Sequence, residues 1–258
     1  MTLTKETYFE PEMMRAYMSV SQFKTFEKCE YMGVAELCGE YVRPMTTALL
    51  VGSYVDAHFD RTLDLFRAKH PDLYKRDGDL KQEYKQAEQI IERIERDALF
   101  MRYMDGESQV IMTGEIAGVP VKIKMDAYHP HRAIVDLKIM RDFAPVYVPA
   151  AGKMNFIEAW RYDLQGAIYQ EIVRQNTGET LPFFIAAATK EPVTDIAVIR
   201  VPDPQMAACL EIFRANAPRY QLLKDGVADP VRCERCDACK ITKTLSGIMT
   251  IEELNEIE

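Results

Sequence analysis

The sequence contains no stretch approaching the roughly 18 uninterrupted apolar residues of a membrane-crossing helix, and its opening, MTLTKETYFEPEMMR, lacks the apolar core of a secretion signal. These absences make the cytoplasm the expected location and remove a membrane from the expected partners. Basic charge is also scarce: 32 Lys and Arg stand against 40 Asp and Glu, a formal net charge of -8. That balance excludes a surface basic all over, so any polyanion would have to be held in a local, lysine-lined cleft. No repeat, low-complexity tract or linker interrupts the 258 residues, of which 48% are apolar, enough for one large core. One domain is expected over residues 1–258, with a helical part at 1–105, a strand-bearing core at 106–202 and a closing helix with a cysteine cluster at 203–258.

Periodicity supplies the elements. Ser19 or Ser21 can cap a helix within residues 19–40, and a second helix is expected from about 47 to 66. Leu80, Tyr84, Ala87, Ile91, Ile94, Ala98 and Met101 recur at steps of four and three, predicting one helix over 80–104 with a buried stripe. The period then falls to two. After a turn at Gly118, Val121, Ile123 and Met125 alternate with Lys122, Lys124 and Asp126 as in a half-buried strand. In the next strand, 133–139, Val135, Leu137 and Ile139 share one face and Ile134, Asp136 and Lys138 the other. A helix over 155–175 stacks Tyr162, Gln165 and Tyr169, strands follow at 182–189 and 194–201, and Asp203-Pro204 restarts helix to about 223. The sequence then closes on an acidic tail at 251–258.

Asp136 and Lys138 on one strand face can bring a carboxylate and an ammonium to one phosphate, and Asp126 on the preceding strand can add a second carboxylate. Oxygen ligands of this kind suit Mg²⁺ or Mn²⁺, and lysine can position water or stabilise developing negative charge. As a bare pattern, Asp-x9-Asp-x-Lys arises easily in a chain that is 28% charged. A solvent-facing salt bridge on an edge strand, contributing about 0–1 kcal/mol, would describe it equally well.

Context adds weight. The order helix, three strands, helix, strand, with Asp126 and Ile134-Val-Asp136-Leu-Lys138 on the second and third strands, resembles the core of the PD-(D/E)XK nucleases. Tyr162-Asp-Leu-Gln165-Gly-Ala-Ile-Tyr169 is similar to the Q-x3-Y element of the branch holding the RecB nuclease domain, the CRISPR adaptation nucleases and phage recombination exonucleases. Ser19-Val-Ser21-Gln-Phe-Lys-Thr-Phe-Glu-Lys-Cys29 resembles that branch's opening helix. The likeness runs from about residue 18 to 243 and is nearest to exodeoxyribonuclease VIII-like phage and prophage proteins.

It implies an α/β (α+β) restriction-endonuclease-like fold, a central mixed sheet flanked by helices, with a helical N-terminal part and a cysteine-bearing C-terminal lobe. It further implies a Mg²⁺- or Mn²⁺-dependent deoxyribonuclease. The implied metal ligands are Asp126, Asp136 and the Leu137 carbonyl, with Lys138 as catalytic lysine and Gln165, Tyr162 and Tyr169 orienting DNA or the site. The expected role is exonucleolytic resection of double-stranded ends for phage-type recombination, beside a single-strand annealing recombinase and in a homo-oligomer. A CRISPR-type or structure-selective endonuclease and a catalytically silent DNA-binding module are the alternatives. Where the branch carries G-x3-H, this chain has Gly52-Ser-Tyr-Val-Asp56, so Asp56 replaces a histidine ligand. His58, about 200° further round a helix, should face elsewhere, and His129 and His131 read as solvated loop residues.

Six cysteines occur, three of them in Cys233-Glu-Arg-Cys236-Asp-Ala-Cys239, a spacing that suggests soft-metal ligation. Cys29 stands where relatives with an iron-sulfur staple carry their first cysteine, so the resemblance implies a [4Fe-4S] cluster on Cys29, Cys233, Cys236 and Cys239. A four-cysteine zinc site and unligated thiols are the alternatives, because the C-terminal spacing departs from the usual x2 then x5. Cys38 and Cys209 read as small buried apolar residues.

Overall fold

The computed structural model describes residues 2–149, 151–245 and 247–252. Its helices are α1 (Pro11–Ala16), α2 (Val20–Lys28), α3 (Glu30–Cys38), α4 (Thr47–Phe59), α5 (Leu63–Lys69), α6 (Lys85–Glu95), α7 (Ala98–Met104), α8 (Phe156–Ala159), α9 (Tyr162–Thr177), α10 (Asp203–Lys224) and α11 (Asp237–Ile241). The strands are β1 (Glu107–Ile116), β2 (Val119–His129), β3 (Ala133–Met140), β4 (Val146–Val148), β5 (Gly152–Met154), β6 (Phe183–Thr189) and β7 (Ile196–Arg200). Most of the acidic tail, residues 253–258, lies outside the described residues.

Five strands form one mixed sheet in the order β1-β2-β3-β6-β7, in which only the β3–β6 pair is parallel. That parallel pair needs a crossover, and α9 supplies it. On one side of the sheet α2, α9 and α10 bury Phe23, Leu164, Ile168, Phe183 and Phe213; on the other α4, α6 and α7 bury Val55, Ile90, Ile94, Phe100 and Val135. Helices thus flank a central mixed sheet, as expected. A third, much smaller core joins α3 to α11 through Cys29, Met32, Ala238 and Cys239.

Four expected helices are each broken into two. Cys29, extended at φ -166°, separates α2 from α3 and caps α3. Arg61 (φ 59°) divides the 47–66 segment into α4 and α5, and Arg161 (φ 56°) parts α8 from α9. Asp97, whose side chain accepts from the Phe100 N–H, ends the 80–104 stripe's first helix and caps its second. Over 80–104 the apolar period runs through the break because Ala87, Ile91 and Ile94 on one side and Phe100 on the other bury in the same core, so periodicity alone does not reveal it. The β4–β5 hairpin, of three-residue strands, carries no such period and was not anticipated.

β2 is also more enclosed than a half-buried strand. Second in the sheet and overlain by the N-terminal segment, it buries Lys122 completely, and that ammonium donates to the Tyr8 and Met13 carbonyls. Burial pushes the Lys122 pKa down to about 8.

Candidate active site

β2 and β3 pair over only three positions, Ala127 with Val135, Tyr128 with Ile134 and His129 with Ala133. The same register sets Asp126 across from Asp136, where the ladder has already ended. In the fork so opened, a side chain replaces the missing backbone partner: Asp126 Oδ2 accepts from the Leu137 N–H at 2.8 Å. A second contact reaches Asp126 from β1. Gln109, strained at φ 55°, directs its amide to Asp60 Oδ1 at 2.6 Å and more distantly to Asp126 Oδ1 at 3.4 Å.

α9 spans the fork from behind. Gln165 Nε2 donates to Asp136 Oδ1 at 2.6 Å, and one turn on, the Tyr169 hydroxyl donates to the Lys124 carbonyl at 2.8 Å. The Q-x3-Y spacing therefore ties one helix face to β3 and to β2 at once. Gln165 and Tyr169 are buried and engaged within the protein while lining the cleft. Close approach of α9 is made by Gly166, where a Cβ would fall 2.5 Å from the Phe183 ring. The Tyr162 ring carries Lys138 on one contact at 5.1 Å and Lys24 on another at 4.9 Å.

The resulting cleft, of about 290 Å³, is lined by Asp56, Asp126, Asp136, Lys24, Lys124 and Lys138 among others, with Gln165 and Tyr169 in its wall. Asp136 is 2% exposed and ion-paired with Lys138, so the solvent-facing salt bridge on an edge strand is not what this chain builds: β3 is the central strand. The carboxylates are held against their charge. Burial, and then repulsion from Asp136 and Asp56, raises the pKa of Asp126 well above the carboxylate range, although Lys138 opposes this. Asp56 opens to solvent in the cleft but is hemmed in by protein otherwise; burial first, with Asp60 and Asp136 adding, raises it to about 7. Burial disfavours charge on Lys138 too, but Asp136 and Asp126 more than offset it and its pKa is raised, so the side chain is an ammonium throughout the neutral range. Lys24, by contrast, is pushed down to about 7 by burial and by the neighbouring Lys138.

A family model for a PDDEXK-like domain of unknown function matches residues 19–242, nearly the whole of this arrangement. The chain belongs to this PDDEXK-like family. A crystal structure from Eubacterium rectale, described as a "putative exonuclease", is 48% identical, covers 98% of this chain and 98% of its own, and superposes with a TM-score of 0.94. A search of curated proteins finds no match. The PDDEXK-like assignment accounts for the sheet, for α9 and for the strand that carries Asp136 and Lys138.

Other residues singled out by sequence lie apart from the cleft. His58 pairs with Glu95 at 2.8 Å, His129 contacts the Tyr103 carbonyl at 2.8 Å and His131 contacts Glu179 at 2.9 Å. Cys209 is buried, whereas Cys38 is exposed: it ends α3 just before the left-handed Gly39, where the last turn faces outward. The sulfurs of Cys29, Cys233, Cys236 and Cys239 meet far from the cleft's carboxylates, at the α3–α11 core. Gln109, Lys24 and Lys124 were not assigned to the site from sequence. Lys124 was legible, since it shares the alternating face of Asp126; Lys24 and Gln109 carry no pattern of their own.

For a divalent cation the donor set fits. Asp136 Oδ2 is buried without a hydrogen bond and neighbours only the Lys138 ammonium, and the Asp56 carboxylate takes no hydrogen bond from the described residues. Both are hard oxygen donors of the kind a divalent cation takes. No helix among the described residues is long and apolar enough to cross a membrane.

Proposed function

We propose that this protein is a Mg²⁺- or Mn²⁺-dependent deoxyribonuclease that shortens double-stranded DNA from its ends. The observation that carries the reading is the meeting of Asp126, Asp136, Lys138 and Gln165 at the β2–β3 fork, in a chain of a PDDEXK-like family. The cation would be held by Asp126, Asp136, Asp56 and the Leu137 carbonyl, and when bound it supplies charge neutralisation at the scissile phosphate and a more acidic water.

The protein's own groups do the rest. Lys138, held as an ammonium, serves as a hydrogen-bond donor to charge developing on phosphate oxygen; it has no free electron pair with which to act as a base. Gln165 fixes the Asp136 carboxylate in one orientation, leaving the other oxygen toward Lys138. Lys24 and Lys124 give the cleft the local positive lining that a chain of net charge -8 needs in order to hold a phosphodiester. Exposed Phe9, with Lys124 5.0 Å from its ring, and exposed Trp160, whose carbonyl binds Lys24, offer stacking faces beside those lysines for bases freed at a duplex end. Action at ends is also what the description of the Eubacterium rectale protein suggests. In this reading the product ends feed recombination through an annealing recombinase, and a ring of subunits would keep the enzyme on its substrate.

The test is digestion of end-labelled linear duplex and of covalently closed circular DNA with Mg²⁺ or Mn²⁺, with EDTA as control. Metal-dependent loss of the linear substrate, sparing the circle, is expected. Cutting of the circle would replace the exonuclease by an endonuclease, and inertness of both substrates would leave a DNA-binding module.

A further inference from the structure

We propose that Cys29, Cys233, Cys236 and Cys239 form a mononuclear four-thiolate zinc site that fastens the C-terminal lobe to the α2–α3 junction. The [4Fe-4S] cluster implied by the resemblance does not fit these residues. All four sulfurs lie within 4.8 Å of one another, with Cys29 to Cys239 at 3.6 Å and Cys233 to Cys239 at 3.9 Å. A tetrahedron with Zn–S bonds of about 2.3 Å has edges of about 3.8 Å, which the Cys29–Cys239 and Cys233–Cys239 separations match and the others approach to within about 1 Å. A cubane places a cube of iron and sulfide between its four thiolates, one on each iron, and spreads them well beyond the edge of a single-ion tetrahedron. The cysteines are also free, and 3.6 Å is far longer than the roughly 2.05 Å of a disulfide.

Local structure supports thiolate ligation. The Met32 N–H points to Cys29 Sγ at 3.5 Å and the Cys236 N–H to Cys233 Sγ at 3.3 Å, so backbone donors already serve sulfur acceptors from both ends of the chain. Cys29 reaches the group because it is extended between two helices; as a residue of a continuous helix it would be carried along the α2 axis. Around the sulfurs the protein is closely built. Arg219 holds Glu30 by two bonds of 2.6 and 2.7 Å, Glu30 accepts from the Val231 N–H, and Arg232 lies over the Tyr31 ring while donating to the Cys239 carbonyl.

The need for a metal follows from how little apolar mass the lobe has. Its core contains four buried residues, two of them the ligands Cys29 and Cys239, and a lobe so small requires a staple to hold its place. Zinc here would join positions separated by 210 residues, from Cys29 to Cys239, without contributing to the cleft at the β2–β3 fork. The proposal stands apart from the nuclease reading, since none of the four thiols lines that cleft.

The experiment is elemental analysis and visible absorption of the full chain purified anaerobically without added metal, followed by replacement with Co²⁺. One zinc per chain is expected, in colourless protein, and the Co²⁺ form should show the intense visible ligand-field bands of a tetrahedral thiolate site. Cys236→Ser should lose the zinc and melt at a lower temperature, whereas Asp126→Asn should keep the full complement. Brown protein with stoichiometric iron and acid-labile sulfide would overturn the proposal in favour of a cluster, and metal-free protein with four titratable thiols would overturn it altogether. Because the first measurements use the wild-type chain, poor folding of a cysteine variant does not affect the outcome.

Discussion

Asp126→Asn should make the metal-free protein more stable while abolishing its response to divalent cations. In the fork, Asp126 is half-buried near Asp136 and Asp56, and its raised pKa says that desolvation and repulsion together outweigh the attraction of Lys138. At a pH where both carboxylates are ionised, two neighbouring like charges at an effective dielectric near 20 repel by up to roughly 4 kcal/mol, and a half-open, hydrated cleft with a lysine at hand reduces that to about 1 kcal/mol. Asparagine removes the charge but keeps an oxygen for the Leu137 N–H, so the fork itself should survive. A gain of about 1 kcal/mol corresponds to a rise in Tm of about 2–4 °C for a chain of this size. Asp126→Ala separates the two effects: it relieves the same repulsion but leaves the Leu137 N–H without its partner, at a cost of about 1–3 kcal/mol. Melting curves in EDTA should therefore rank Asn at or above wild type and Ala below Asn, and addition of Mg²⁺ or Mn²⁺ should raise the wild-type Tm alone. An Asn variant that melts several degrees below wild type in EDTA, or that still gains stability from the cations, would refute the reasoning.

Lys138→Met should reduce DNA hydrolysis by a factor on the order of 100 or more, as loss of one donor to a developing oxyanion commonly does, without abolishing cation binding measured by Tm shift; unchanged hydrolysis would remove Lys138 from the site. Stability against pH should pass through a minimum near neutrality in EDTA. Asp56, raised to about 7, favours the folded state while protonated, so its contribution is present below about pH 4 and lost as pH climbs through 7; Asp126, also raised, acts in the same direction. Lys24 and Lys224, lowered to about 7, and Lys122, lowered to about 8, contribute in the opposite sense, with stability returning from pH 7–8 toward 10.5. Saturating Mg²⁺ should flatten the acidic limb, because cation binding favours the ionised carboxylates; a melting temperature that rises steadily from pH 4 to 7 in EDTA would contradict this. Gly166→Ala should destabilise the fold by about 1–3 kcal/mol in chemical denaturation, since the new methyl meets Phe183 and Met206 where α9 packs next to Gln165; a neutral result would mean that α9 has room to retreat.

How much of this was legible in the sequence depended on whether a residue's role is set by its own strand or helix. Asp126, Asp136 and Lys138 could be read because the period of two on β2 and β3 fixes which side chains share a face, and Gln165 and Tyr169 because one helical turn separates them. Asp56 could be separated from His58 by the same helical arithmetic, and in the structure the first lines the cleft while the second turns to Glu95. Breaks in the helices were not legible where an arginine takes a left-handed backbone, as at Arg61 and Arg161, since nothing in the residue type asks for it. At Asp97 the capping residue was present in the sequence, but an uninterrupted apolar stripe outweighed it.

The enclosure of β2 was hidden for a different reason. Alternation of Lys122, Lys124 and Asp126 with apolar residues reads as one wet face, and a lysine on it as solvated. Whether that face is wet is decided by residues more than 100 positions away in sequence, the segment from Tyr8 to Met14 that lays its carbonyls over Lys122. The covering has a consequence for the cleft. The buried apolar face of Val121, Ile123 and Met125 and the long pairing with β1 fix the register of β2, and an ammonium bound to two carbonyls inside the protein adds an anchor two residues from Lys124 and four from Asp126. One position of slippage would turn Asp126 away from the fork and put Met125 or Ala127 in its place. The buried lysine thus belongs to the site's architecture although it is not part of its chemistry: it fastens the N-terminal segment to the strand whose alignment sets two carboxylates across from each other.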